Sequence, residues 1–217
     1  MRLMLIRHGQ TPANVAGSLD TFLPGPGLTE LGTRQAEALI GELAGENVQA
    51  VFASEATRAQ LTAAPIAAAR ALGVEVLPGV FEVQAGALER RTDKTSVLAY
   101  LDVLRQWRDG DLDAATPGGE DGHQMMTRVD AAVREICARG LECAVLVSHG
   151  ALIRTWAGWR CPQVDQLGAT PLENTGIVIL DGDQRTGWRL VSWSDHPAGG
   201  LEDDQPETPE ADPTGAG

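Results

Sequence analysis

Long apolar runs, cysteines and basic residues are all scarce in this chain, and each scarcity removes a class of function. No stretch approaches the roughly 20 apolar residues of a membrane-spanning helix, so none is expected. The run Leu3-Met4-Leu5-Ile6 is too short for the core of a signal peptide and ends at Arg7-His8. A cytoplasmic protein is therefore expected. Three cysteines, Cys137, Cys143 and Cys161, are too few for a disulfide framework in 217 residues. None forms a CxxC pair or stands beside histidines at metal-ligand spacing, so reduced thiols are expected. Lys and Arg number 17 against 30 Asp and Glu, for a formal charge of −13. Nucleic acid and anionic membrane both require basic surface, so neither is an expected partner. Six of the acids (Glu202, Asp203, Asp204, Glu207, Glu210 and Asp212) fall in Ala198–Gly217, which has no Lys or Arg. A cationic pocket can still sit in the remaining chain, because local arrangement sets the field at a site. Missing too are a GxxxxGK[ST] phosphate loop, an Asp/Asn cluster for magnesium and any internal repeat.

What is present reads as one α/β domain, with a length sufficient for a full core and 43% apolar residues. Short apolar runs predict strands at Arg2–Ile6, Ala50–Ala53, Val74–Leu77, Ala144–Val147, Gly176–Leu180 and Trp188–Trp193. Helices are expected at Thr29–Ala44, with Thr29 as N-cap, and at Ala56–Leu72, Lys94–Arg108, Gly122–Arg139 and Ala151–Trp156. Strands alternating with helices imply a mostly parallel sheet covered on both faces, a three-layer αβα sandwich. The domain is expected over residues 1–197. Within it, Val83–Asp121 reads as a small insertion or lid over one edge of the sheet, and Leu19–Gly27 as an ordered Pro/Gly-rich loop. Residues 198–217 read as a disordered acidic tail.

The polar residues follow the strands in a telling order. Leu3–Ile6 runs into Arg7-His8-Gly9, and Ala144–Val147 into Ser148-His149-Gly150. Ala50–Ala53 runs into Ser54, with Arg58 early in the next helix, and Val74–Leu77 is followed by Glu82. In an open α/β sheet, ligands bind beyond the carboxyl ends of the strands. Four segments thus deliver two arginines, two histidines and a glutamate to one edge. Singly, each is more often a structural or surface residue; the set is what carries chemistry. Two guanidiniums and a protonated imidazole suit the oxygens of a phosphoryl group. A neutral imidazole attacks phosphorus, and a carboxyl protonates the leaving alkoxide and later takes a proton from water. No metal or cofactor is called for.

The chain resembles the histidine phosphatase superfamily, whose best-known branch is the cofactor-dependent phosphoglycerate mutases. The resemblance rests on Arg7-His8-Gly9-Gln10-Thr11 with Asn14, and on Leu28-Thr29-Glu30-Leu31-Gly32 with Gln35-Ala36. It continues through Ser54-Glu55-Ala56-Thr57-Arg58-Ala59 with Thr62-Ala63, Glu82 with Gly86, Pro117-Gly118-Gly119-Glu120, and Val147-Ser148-His149-Gly150. It implies a phosphoglycerate mutase-like fold. His8 would be the phosphorylated nucleophile, Glu82 the proton donor, and Arg7, Arg58 and His149 the phosphoryl-binding and transition-state-stabilising groups. Asn14 would add a hydrogen-bond donor. Departures favour phosphatase over mutase. After Glu82 the glycolytic mutases carry an Arg-His-Tyr-Gly stretch, whereas here the residues are Val83-Gln84-Ala85-Gly86-Ala87. Asp121 stands where the family has a serine after Gly-Glu.

The expected function is hydrolysis of a small-metabolite phosphomonoester through a phosphohistidine at His8. A bisphosphoglycerate-dependent mutase and a non-catalytic phosphoryl-binding module are the alternatives. A homodimer is admitted, with the oligomeric state left open. His123 and His196 read as surface histidines, Met125-Met126 as helix packing, and Arg90, Arg91 and Lys94 as surface charge. Among the five tryptophans, Trp107 in the insertion is the candidate for touching a substrate.

Overall fold

Strands β1 (Arg2–Arg7) and β4 (Cys143–Ser148) are buried along almost their whole length, and they occupy the middle of the sheet. The computed structural model describes residues 1–164 and 171–202. The other strands are β2 (Ala50–Ala53), β3 (Val74–Val76), β5 (Ile177–Asp183) and β6 (Gly187–Ser194). Their order is β3-β2-β4-β1-β5-β6. The first four are mutually parallel, while β5 and β6 run antiparallel at one side. The mostly parallel αβα sandwich expected from the sequence is the fold observed.

The helices are α1 (Pro12–Val15), α2 (Glu30–Glu42), α3 (Thr57–Ala68), α4 (Lys94–Arg108), α5 (Gly122–Ala138) and α6 (Gly150–Arg160). Side chains alternate between the faces of a strand, so β1 divides its residues between two cores. Leu3 and Leu5 join Ala144 and Leu146 against α4, α5 and α6. Met4 and Ile6 join Val145 and Val147 against α2 and α3. Thr29 caps α2 as expected, accepting from the Gly32 amide at 3.0 Å. Helix α3 stops at Ala68, short of Leu72, because the chain turns at Ala71 with φ +54°. Helix α6 runs four residues past Trp156, and Arg160 and Trp156 both bond Asp130 of α5. The single turn α1 has no counterpart in the expectations, since four residues show no periodicity.

The stretch 83–121 divides in two. Its first residues cross the loop that follows α1: Leu19 N donates to Arg91 O and Arg90 N to Leu19 O. Helix α4 itself is part of the layer, with Tyr100, Val103, Leu104 and Trp107 in the core. Trp107 is fully buried and donates to Ala114 O at 2.7 Å, so it is a packing residue and not a substrate contact. The packed chain also runs past the Ala198 boundary expected for the tail. Ala198 is buried beside α2, its amide donates to Thr175 Oγ1, and Gln35 Nε2 donates to Leu201 O. The rest of the acidic stretch, 203–217, lies outside the described residues. Among the described residues no helix is long and apolar enough to cross a membrane.

Candidate active site

Register brings the two histidines together. Ile6 pairs with Val147 and Arg7 with Ser148, so β1 and β4 end level and release His8 and His149 side by side. Their ring centroids are 5.3 Å apart. Ala53 of β2 also pairs with Val147, which brings Ser54 out beside His149. The first turn of α3 carries Arg58 across both rings. Gly9 holds this corner tight: a Cβ there would meet Gly32 O at 2.5 Å.

The hydrogen bonds settle which nitrogen carries each proton, because a guanidinium only donates. Arg58 Nε donates to His8 Nε2 at 3.2 Å, so His8 holds its proton on Nδ1 and donates it to Gly9 O at 2.8 Å. Arg58 Nη2 donates to His149 Nδ1 at 3.3 Å, so the His149 proton is on Nε2, facing Ser54 Oγ at 2.9 Å. Arg58 Nη2 also donates to Asp20 O at 3.1 Å. Arg58 Nη1 is buried and, among the described residues, makes no hydrogen bond. It lies against Gly25, where a Cβ would stand 2.4 Å from it.

Burial, followed by the nearby Arg58 and His8, pushes the His149 pKa well below the ordinary imidazole range. The imidazole expected from the sequence to be protonated is therefore held toward its neutral form. Glu82 shifts the other way. Its burial raises the carboxyl pKa, against the pull of the Val83, Leu152 and Ala151 amides and the Arg58 charge. Oε1 accepts from Val83 N at 2.8 Å and Leu152 N at 2.9 Å, while among the described residues Oε2 accepts only from Ala151 N at 3.2 Å. Two of these amides belong to the first turn of α6, whose N–H groups have no helical partner. An acid proton thus belongs on the less occupied Oε2.

A small cleft is lined by His8, Thr11, Ala13, Asn14, Ser18, Asp20, Arg58 and Glu82. Asn14 accepts through Oδ1 from Thr11 N, Thr11 Oγ1 and Asn174 Nδ2, leaving its NH2 group as the part able to donate to a ligand. Arg7 and His149 are wholly buried and are not among the residues lining this cleft. Arg7 Nη1 donates to Leu172 O at 2.7 Å, and its charge acts on both Arg58 and His149.

The loop carrying Glu82 is clamped from α5. Arg128 donates to Gly79 O and Phe81 O and pairs with Glu120, whose carboxylate accepts from Gln84 N. That is the work of Pro117-Gly118-Gly119-Glu120. Gly86 has φ +57° and packs so closely that a Cβ would meet Pro117 O at 2.4 Å. Asp121, in place of the family's serine, caps α5 by accepting from Gln124 N.

The expectations passed over Asp20, Thr11 and Ser18 as lining residues, and took Ser54 only as part of a motif. They also passed over Arg154, a lone cation in the apolar run Ala151–Trp156 of α6, which is the signal that marks it. Its pKa is pulled down to about 10, first by burial and then by Arg7, with Glu82 pulling the other way. His123 and His196 are exposed, as expected.

Comparison with known proteins agrees with this geometry. The chain is 34% identical over 212 residues to the PE-PGRS family protein PE_PGRS11 of Mycobacterium tuberculosis strain H37Rv, covering 89% of the chain. It spans 36% of that relative's length. It is 30% identical to the adenosylcobalamin/alpha-ribazole phosphatase of Escherichia coli K12, over 70% of the chain and 75% of the relative. The solved mycobacterial glucosyl-3-phosphoglycerate phosphatase with VO3 superposes with a TM-score of 0.75 at 28% identity, covering 89% of this chain and 98% of that one. The sequence profile of the histidine phosphatase superfamily (branch 1) matches residues 3–196, and the chain belongs to that superfamily.

Proposed function

We propose that the protein hydrolyses the phosphomonoester of a small metabolite through a phosphohistidine on His8, with Glu82 as proton donor and no metal. The observation that carries this is the fixed tautomer of His8, whose Nδ1–H is tied to Gly9 O while the Nε2 lone pair faces Arg58. Arg58 Nε covers that lone pair. A bound phosphoryl group draws the guanidinium onto its own oxygens and frees Nε2 to attack. The N–P bond forms as the ester P–O bond breaks, and the leaving oxygen takes the proton of Glu82 Oε2. Water then attacks phosphorus, Glu82 takes its proton, the N–P bond breaks, and inorganic phosphate leaves. Arg58 and the Asn14 amide hold the phosphoryl oxygens, and the buried Arg7 adds its positive charge to the site. A phosphoryl dianion beside His149 works against the burial and the neighbouring positive charges that lower its pKa, and so favours its protonated form.

Hydrolysis is favoured over mutase chemistry by Val83 and Ala85. These stand where the glycolytic mutases carry their basic stretch, and both are buried in the core. The test is turnover of p-nitrophenyl phosphate and a metabolite panel in EDTA by wild type and His8→Ala. Activity only in the wild type is expected. Equal activity sinks the nucleophile assignment, loss in EDTA sinks the metal-free mechanism, and isomerised phosphoglycerate without phosphate release favours the mutase.

A further inference from the structure

Among the described residues, two acidic side chains line the cleft, and only one of them, Glu82, has a part in the proposed reaction. Asp20 lines the cleft together with Ser18 and Ala13. Its carbonyl accepts from Arg58 at 3.1 Å, and its carboxylate lies close enough to act on the Arg58 charge. A phosphate dianion repels a carboxylate, so recognition of phosphate alone is better served by a neutral residue here.

The loop cannot easily carry Asp20 away. Its neighbours Leu19 and Thr21 are buried. Glu89 Oε1 accepts from Thr21 N at 2.6 Å and Phe22 N at 3.0 Å, and Oε2 accepts from Thr21 Oγ1 at 2.7 Å. Thr21 Oγ1 in turn accepts from Ala85 N at 3.0 Å. The Leu19 backbone is bonded on both sides to Arg90 and Arg91. Asp20 is therefore held at the cleft by its neighbours' bonds. Among the described residues no lysine lines the cleft, and the one lining arginine is Arg58, already engaged with both histidines. Arg91 pairs with Asp93, and Arg90 is exposed and outside the lining.

We propose that Asp20 is a specificity-determining residue that reads the alcohol part of the substrate. It accepts a hydrogen bond from a hydroxyl or ammonium group beside the phosphoester and repels a second anion there. The substrate class is then the monophosphate of a polyol or amino alcohol, and not a bisphosphate or a phosphorylated carboxylic acid. This rests on the phosphatase reading and narrows it.

Three phosphomonoesters of similar size separate the cases: phosphoethanolamine, glycerol 3-phosphate and 3-phosphoglycerate, with p-nitrophenyl phosphate as the reporter of turnover. In wild type, kcat/KM is expected to be at least about tenfold higher for phosphoethanolamine and glycerol phosphate than for 3-phosphoglycerate, the scale of a partly screened charge–charge contact. Asp20→Asn and Asp20→Ser should each shrink that ratio by about tenfold, whatever they do to the absolute rates. A wild-type preference for 3-phosphoglycerate overturns the proposal, as does a ratio unchanged in both variants while p-nitrophenyl phosphate is turned over. Failure of the wild type to turn over p-nitrophenyl phosphate instead sinks the phosphatase reading on which it rests.

Discussion

Glu82 and His149 are both buried carriers of a proton, and their surroundings push them in opposite senses. Burial raises the Glu82 carboxyl pKa and depresses that of His149, which suits the first to hold a proton and the second to stay neutral. The proposed attack requires an unprotonated His8 Nε2 and a protonated Glu82. Activity should therefore fall on the acid side as His8 gains a proton and on the alkaline side as Glu82 loses one. Because the Glu82 pKa is raised, its limb lies above the ordinary carboxylate range. Glu82→Gln should abolish that alkaline limb. The loss should be roughly 100-fold or more on glycerol 3-phosphate, whose alkoxide must be protonated, but about tenfold or less on p-nitrophenyl phosphate, whose leaving group needs no proton. Equal losses on the two substrates would argue that Glu82 serves structure alone.

At the scale of elements, the catalytic edge depends on two clamps far from one another in sequence. Arg128 of α5 holds the Glu82 loop, and its pair with Glu120 is nearly enclosed, with side-chain exposures of 14% and 6%. Removing one partner of such a pair strands a charge. Glu120→Ala should thus cost roughly 3–5 kcal/mol and lower Tm on the order of 10 °C, which thermal unfolding followed by circular dichroism would measure. The other clamp is Glu89 on the Leu19–Phe22 loop. Glu89→Gln exchanges an accepting oxygen for an NH2 group facing a donor, and the loop bonds the Arg58 guanidinium through Asp20 O. KM for phosphomonoesters should rise several-fold more than kcat falls, with an unchanged KM as the opposing result.

These clamps mark where sequence reading ends. His8 and His149 could be placed because each follows an apolar strand directly, and strand ends in a parallel sheet converge. Arg58 could be placed by the same logic. Glu89 and Asp20 could not, since their partners lie 68 and 38 residues away across irregular backbone that no periodicity describes. The charge of His149 escaped for a related reason, as burial is a property of the packed site and not of the residue.

For the whole molecule, sheet and helices were legible from alternation of apolar runs, while the role of 83–121 was not. Its polar residues suggest a lid, yet Tyr100, Val103, Leu104 and Trp107 fall on one face of α4 and fill the core. The boundary at Ala198 was hidden in the same way, behind a single buried alanine and a few backbone bonds. Truncation from Ala198 should cost about 1–3 kcal/mol more than truncation from Asp203, read as a difference in urea midpoint; equal midpoints would show that Ala198–Glu202 adds nothing. The measurement closest to the central claim is direct trapping of the intermediate. Acid-labile, base-stable label from a 32P-phosphomonoester should appear at His8 during turnover and be absent in folded His8→Ala. Label on another residue, or turnover persisting in His8→Ala, would contradict phosphoryl transfer through His8.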